Sequence, residues 1–228
     1  MIGSPLQTEP LFHLGPVPIT APVVTTWGLI AVLIGGCALM TRRLKLEPGT
    51  GQVVLEEFVL GMQGQIRDTL RAEPRPYLAF LATIFIFVAG CNLLALIPGL
   101  EAPTAHLETD AALALIVFFA VPFFGVRARG LKGYLAEFAQ PTWIMLPLNL
   151  GGRLTRTFSL MMRLFGNMMS GVFVMGILLS LVGVLVPVPF MLLDLLTGLI
   201  QAYIFAALAM VFIGGAVTPP SPAQGSPS

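Results

Sequence analysis

The sequence runs to 228 residues, of which 56% are hydrophobic and only 10% charged, with a mean hydropathy of +0.90. Soluble domains carry about 25% charged residues, so this balance excludes an ordinary soluble domain and marks a polytopic membrane protein. Lys and Arg number 12 against 11 Asp and Glu, a formal net charge of +1, and no basic run is long enough to point to nucleic acid.

Residues 1–24 are Pro-rich, include Glu9 and His13, and read as an irregular or interfacial lead-in without the basic start of a cleavable signal peptide. The apolar run 25–41 reads as a first span, with Trp27 as an interface anchor. Arg42, Arg43 and Lys45 follow at once. Positive residues flank the cytoplasmic ends of spans, so this end is expected inside and the N-terminus outside. After the break at Pro48-Gly49, residues 52–72 repeat Val54, Phe58, Met62, Ile66 and Leu70 at helical spacing among Glu56, Glu57, Arg67, Asp68 and Arg71. That segment is too polar to span, and reads as an amphipathic helix along the cytoplasmic surface.

A second span of 77–98 carries one amide, Asn92, and ends at Pro98-Gly99. The loop 99–110 holds Glu101, His106, Glu108 and Asp110 with no Lys or Arg, as suits an external side. A third span, 111–126, stops at Arg127, Arg129 and Lys132, and a connector with Glu137 follows. Residues 142–186 are then apolar except at Gly151-Gly152, Arg153, Arg156 and Arg163. A continuous helix of that length measures about 65 Å, against a hydrocarbon thickness of about 30 Å. It is expected either to break, as at the glycine pair, or to run strongly tilted. Pro187 and Pro189 mark a turn before a last span, 190–216, and the tail 218–228 has a disordered composition. The expected fold is all-α and polytopic, with about five to six membrane helices. Cys37 and Cys91 fall inside spans without metal spacing and read as small buried hydrophobes.

Arg163 is the costly residue. A charge at the centre of a span costs about 2.5–3.5 kcal/mol on insertion scales. The nearest acidic residues in sequence are Glu137 and Asp194. Its partner must therefore come from another helix, another chain or a water-filled cavity. Thr155, Ser159, Arg163, Asn167 and Ser170 recur at spacings of four, four, four and three, a polar stripe along one helix. Asp194, Thr197 and Gln201 share a face of the last helix, so a hairpin brings Gln201 towards Arg163, where an amide can hydrogen-bond a guanidinium without discharging it. Taken singly, Thr155 and Ser170 also fit plain bonding back to the backbone, Asp194 a solvated interfacial carboxylate, and His106 an exposed loop residue. A permanently charged arginine cannot relay protons. It can hold a carboxylate ionised and repel a cation, which divides an ion path along this line into two halves.

These residues resemble subunit a of the F-type ATP synthase membrane sector. Ser159-Leu-Met-Met-Arg163-Leu-Phe-Gly-Asn167-Met-Met-Ser-Gly is similar to the family signature, and Asn92-Leu-Leu-Ala-Leu-Ile-Pro98, Pro103-Thr-Ala-His106 and Leu199-Ile-Gln201-Ala-Tyr-Ile-Phe205 match in order, over about residues 20–217. The resemblance implies an ion-translocating stator subunit, not itself a catalyst, in a bacterial inner membrane. Its long, tilted C-terminal hairpin would pack against a ring of c subunits, and a b-subunit peripheral stalk and the remaining synthase subunits complete the assembly. Two aqueous half-channels would pass protons or sodium ions to and from the ring. Arg163 would release the ion from each ring carboxylate and block leakage. By the same resemblance Gln201 lies beside the arginine and Asn167 one turn on. Ser159 and Thr155 line the cytoplasmic outlet. Asn92, His106 and Glu108 lie at the external inlet. No cofactor, metal or nucleic acid is implied.

Departures from the family pattern mark a divergent branch. Val172 stands where many members carry a glutamate, Asp194 where a histidine is frequent, and Ala95, His106 and Glu108 where Asp or Asn are common. Asp194 is the expected inlet acid. A stand-alone transporter binding an anion at Arg163 is the alternative, but no internal repeat supports it. An intramembrane hydrolase using Ser159 or Ser170 lacks a histidine base, because His13 and His106 both lie outside the expected spans. No phosphate-binding glycine loop is present.

Overall fold

The computed structural model describes residues 10–14, 17–42, 49–97, 102–138, 145–182 and 187–217. The fold is nearly all helical: α1 Ala21–Thr41, α2 Thr50–Leu70, α3 Arg75–Ala95, α4 Leu107–Phe138, α5 Met145–Val182 and α6 Pro187–Val217, with a 3-10 turn at Pro103–Ala105 ahead of α4. Five of these helices are long and apolar enough to cross a membrane: Pro22–Leu39, Arg75–Ala95, Leu107–Leu131, Gly151–Leu181 and Val188–Val217. The tail 218–228, the turn at Pro98-Gly99, Glu101 and residues 183–186 lie outside the described residues.

The lead-in, expected to be irregular, holds a short antiparallel hairpin of β1 Pro10–Leu14 and β2 Val17–Thr20, with Phe12 opposite Ile19. Aromatic and β-branched residues at Phe12, Val17 and Ile19 suit a pleated ribbon. Helix α1 starts earlier than expected because Pro22 in its first turn is compatible with helical φ and lacks only an N–H that would go unpaired there.

Helix α2 buries Met62, Ile66 and Leu70 at steps of four and exposes Glu56, Glu57, Arg67 and Asp68. These apolar residues turn inwards and the charged ones outwards, the amphipathic pattern that the spacing predicts. The helix ends at Arg71, whose left-handed backbone (φ 50°) lets its N–H cap the carbonyl of Arg67. Helix α4 runs past the expected boundary at 126 to Phe138, with a kink at Gly130 (φ 77°). Arg127 and Arg129 mark a change of solvent, but both are good helix formers. The backbone breaks only where a glycine permits positive φ.

Helix α5 decides between the two expectations for the long apolar run. It is one helix of 38 residues and does not break at Gly151-Gly152. At 1.5 Å per residue it is about 57 Å long. A tilt, or ends that project past the hydrocarbon, is therefore what accommodates it.

Helix α6 is the hub, packed against α2, α3, α4 and α5. Its buried line of Ala202, Phe205, Ala206, Ala209, Met210, Ile213 and Ala216 alternates small and large side chains. Small residues let membrane helices approach closely, where packing replaces the missing hydrophobic drive. Around it, Tyr77 and Phe80 of α3 meet Phe124 of α4 at ring-centroid distances of 5.1 and 5.6 Å. At the C-terminal end of α6, Arg129 donates through Nε to the Val217 carbonyl at 2.9 Å, and the Arg156 guanidinium sits 5.8 Å from the Phe212 ring centroid. A cation there complements the helix dipole and the open carbonyls of the last turn.

Candidate functional site

The hairpin of α5 and α6 fixes the depth of every polar group in it. Gly171 on α5 faces Asp194 on α6: a Cβ built on Gly171 would lie 2.6 Å from both carboxylate oxygens. The absent side chain is what admits the carboxylate. The two helices run antiparallel, so one turn along α6 and back along α5 sets Gly198 level with Asn167. Seven residues from the same contact set Gln201 level with Leu164, beside Arg163. Seven residues of helix span about 10 Å, so three polar levels are stacked along the hairpin.

Helix α3 enters at the middle level. Asn92 is 4% exposed and donates its amide to the carbonyls of Val88 at 2.9 Å and Gly198 at 2.7 Å. Its side chain occupies the space a Cβ on Gly198 would need, at 2.7 Å. Both amide hydrogens are spent on backbone, which leaves Oδ1 as the acceptor.

Arg163 is exposed on the outer face of α5, and among the described residues it has no hydrogen bond or ion pair. The expected contact with Gln201 holds for depth but not for bonding. Gln201 is 7% exposed and turned into the bundle, with its amide nitrogen unpartnered among the described residues. The stripe on α5 likewise divides. Successive steps of four residues advance about 40° around a helix, so Thr155, Ser159 and Arg163 stay exposed while Asn167 rotates inwards, its amide nitrogen buried. The final step of three returns Ser170 to the outer face. Thr155 and Ser170 bond back to Gly151 and Asn167 carbonyls at 2.9 Å, the ordinary behaviour of helical hydroxyls. Asp194 is half-buried, and Thr197 bonds its backbone carbonyl rather than its carboxylate.

At the far end of α3, His106 and Glu108 are the loop residues that the resemblance places at the inlet. The structure leaves His106 half-buried and Glu108 exposed. The residue that turns inwards is Asp110, fully buried, with both carboxylate oxygens unpartnered among the described residues. Thr104 in the 3-10 turn is equally buried, and its hydroxyl lies against the Cys91 thiol. The signal was present in the spacing: Asp110 heads the line Leu113, Ala114, Val117, Val121 and Phe124, all buried. Glu108 is out of phase with it. Gly171 and Gly198 were also missed, since a close approach at a glycine is invisible without the opposing helix. No group of three metal-ligating side chains occurs among the described residues.

The arrangement is a set of spaced amides and carboxyl groups on three helices of one bundle, with a single cation facing outwards beside them. The chain as a whole is similar to known proteins. Residues 23–214 match the family model of the ATP synthase A chain. The chain is 56% identical over 217 residues to the ATP synthase subunit a 2 of a Bradyrhizobium species, covering 95% of this chain and 97% of that one. It is 48% identical over 200 residues to ATP synthase subunit a of Albidiferax ferrireducens, covering 87% of each. Identity is also 48%, over 208 residues, to ATP synthase subunit a 1 of Chlorobaculum parvum. With this match running through all five apolar helices, the chain belongs to the ATP synthase A chain family.

Proposed function

We propose that this chain is the ion-conducting stator subunit of a rotary ATP synthase. It passes protons or sodium ions through two offset aqueous half-channels to and from a ring of c subunits. Arg163 holds each arriving ring carboxylate in its ionised form and bars a direct leak between the half-channels. The observation that carries this reading is Arg163 itself. It lies on the outer face of the longest helix, level with Gln201, with no partner among the described residues. A charge so placed suits an opposite charge from another chain, and a ring carboxylate that arrives and departs would supply it.

Asp194, Asn167 and Asn92 then form the inlet wall, while Ser159 and Thr155 line the outlet. The basic residues support an orientation. Leu70 at the end of α2 packs on Gly214, Arg156 on Phe212 and Arg129 on Val217, which gathers Arg71, Arg129 and Arg156 at the C-terminal end of α6. By the positive-inside rule that end is cytoplasmic and the N-terminus external. The b-subunit stalk and the head that carries nucleotide chemistry complete the assembly.

Two experiments test the reading. The tagged chain, purified from membranes, should bring with it a ring of small hairpin proteins bearing a membrane carboxylate. Purification without such a ring under conditions that preserve the rest of the complex counts against it. Asp194→Asn should slow ATP-driven pumping about tenfold or more, the scale of a lost positioned proton-transfer group, with normal assembly. An unchanged rate would make Asp194 an ordinary interfacial carboxylate.

A further inference from the structure

Asp110 is a buried acid that the proposed path does not yet use. It is the fourth residue of α4, past the position whose side chain caps a helix, and neither carboxylate oxygen has a hydrogen-bond partner among the described residues. A bare buried carboxylate is costly. Thr104, from a different element, presents a second fully buried oxygen, and the weak hydrogen-bonding thiol of Cys91 is what it meets. Cys91 of α3 is the neighbour they share. It lies against Thr104 and within electrostatic reach of Asp110, and is itself fully buried.

The next residue on α3 is Asn92, whose amide is bonded to Gly198, one turn from Asp194 on α6. Three elements thus converge on one spot that is joined to the hairpin by consecutive residues. We infer that Asp110 and Thr104 form a waystation for a monovalent cation at the outer end of the inlet, upstream of Asn92 and Asp194. Carboxylate and hydroxyl oxygens are hard donors that suit a proton, a hydrated proton or a small alkali cation. The ion binds Asp110 from the external side and leaves towards Asp194, and the carboxylate returns to its starting state. This inference rests on the stator reading and extends it. It places the outer acid at Asp110, not at Glu108 or His106.

The test uses the whole complex in membrane vesicles. Asp110→Asn keeps shape and removes the charge. Passive ion flux through the membrane sector, freed of its catalytic head, should fall about a hundredfold while the amount of chain in the membrane stays normal. Asp110→Glu should restore part of it, which a purely structural role would not predict. Flux in sodium-free medium identifies the cargo as the proton, and flux that needs added sodium identifies sodium; its loss in Asp110→Asn supports the inference in either case. Unchanged flux in Asp110→Asn overturns it. Should that variant fail to insert, silver ion applied externally to the native complex decides. Block that disappears in Cys91→Ala supports an ion-accessible site beside Asp110, and absence of block, or block independent of Cys91, overturns it. Arg163→Ala separates the two claims: coupled synthesis surviving in that variant defeats the stator reading, whereas normal flux in Asp110→Asn defeats only the waystation.

Discussion

Arg163→Ala is expected to abolish ion-driven ATP synthesis while leaving the chain inserted and assembled. Arg163 is exposed and has no hydrogen bond or ion pair within the described chain that the truncation would break. Removing a charge that costs about 2.5–3.5 kcal/mol to insert should, if anything, ease insertion. The loss should therefore be functional and not structural. Arg163→Lys retains the charge but not the planar fork that pairs with a carboxylate, and should recover only a small part of the activity. Synthesis rates in energised vesicles, normalised to the amount of chain in the membrane, check both variants.

Gly198→Val should have the next largest effect, through packing. The added Cβ would lie 2.7 Å from the Asn92 carboxamide, and that carboxamide is held by two hydrogen bonds. Either α3 moves away from α6 or the amide is expelled and loses both of its hydrogen bonds. Overpacking costs about 1–3 kcal/mol, and a buried polar group left unsatisfied about 1–3 kcal/mol more. The complex should lose thermal stability and ion flux together. Asn92→Ala in the same chain should return much of the stability but not the flux, because the cavity then accommodates the new side chain while the amide stays absent. Separate, additive effects of the two changes would show that the contact is not the cause.

Much of this architecture is legible in the residues. Met62, Ile66 and Leu70 at steps of four announce the buried face of α2, and Arg163 is conspicuous because no other charge interrupts that depth of the chain. What escaped has identifiable physical reasons. The helix in α4 outruns its apolar stretch because charge reports the solvent, whereas Gly130 reports the backbone. The glycine pair at 151–152 looks like a break, yet it costs the helix only about 2 kcal/mol relative to alanine, too little by itself to end a helix of 38 residues. Gln201 is level with Arg163 but turned inwards, since level follows from register and direction from which neighbours the hub helix meets. Asp110 was legible by phase, but a loop assignment hid it. Glycines that admit Asp194 and Asn92 are defined by the opposing helix and leave no trace in their own surroundings.

The central claim is that Arg163 seals the two half-channels from each other while its partner comes and goes. Passive ion flux across vesicles containing the membrane sector, with the ring chemically locked against rotation, tests this most directly. Locked native sectors should be tight and locked Arg163→Ala sectors should leak down the ion gradient. Equal tightness in both would contradict the claim.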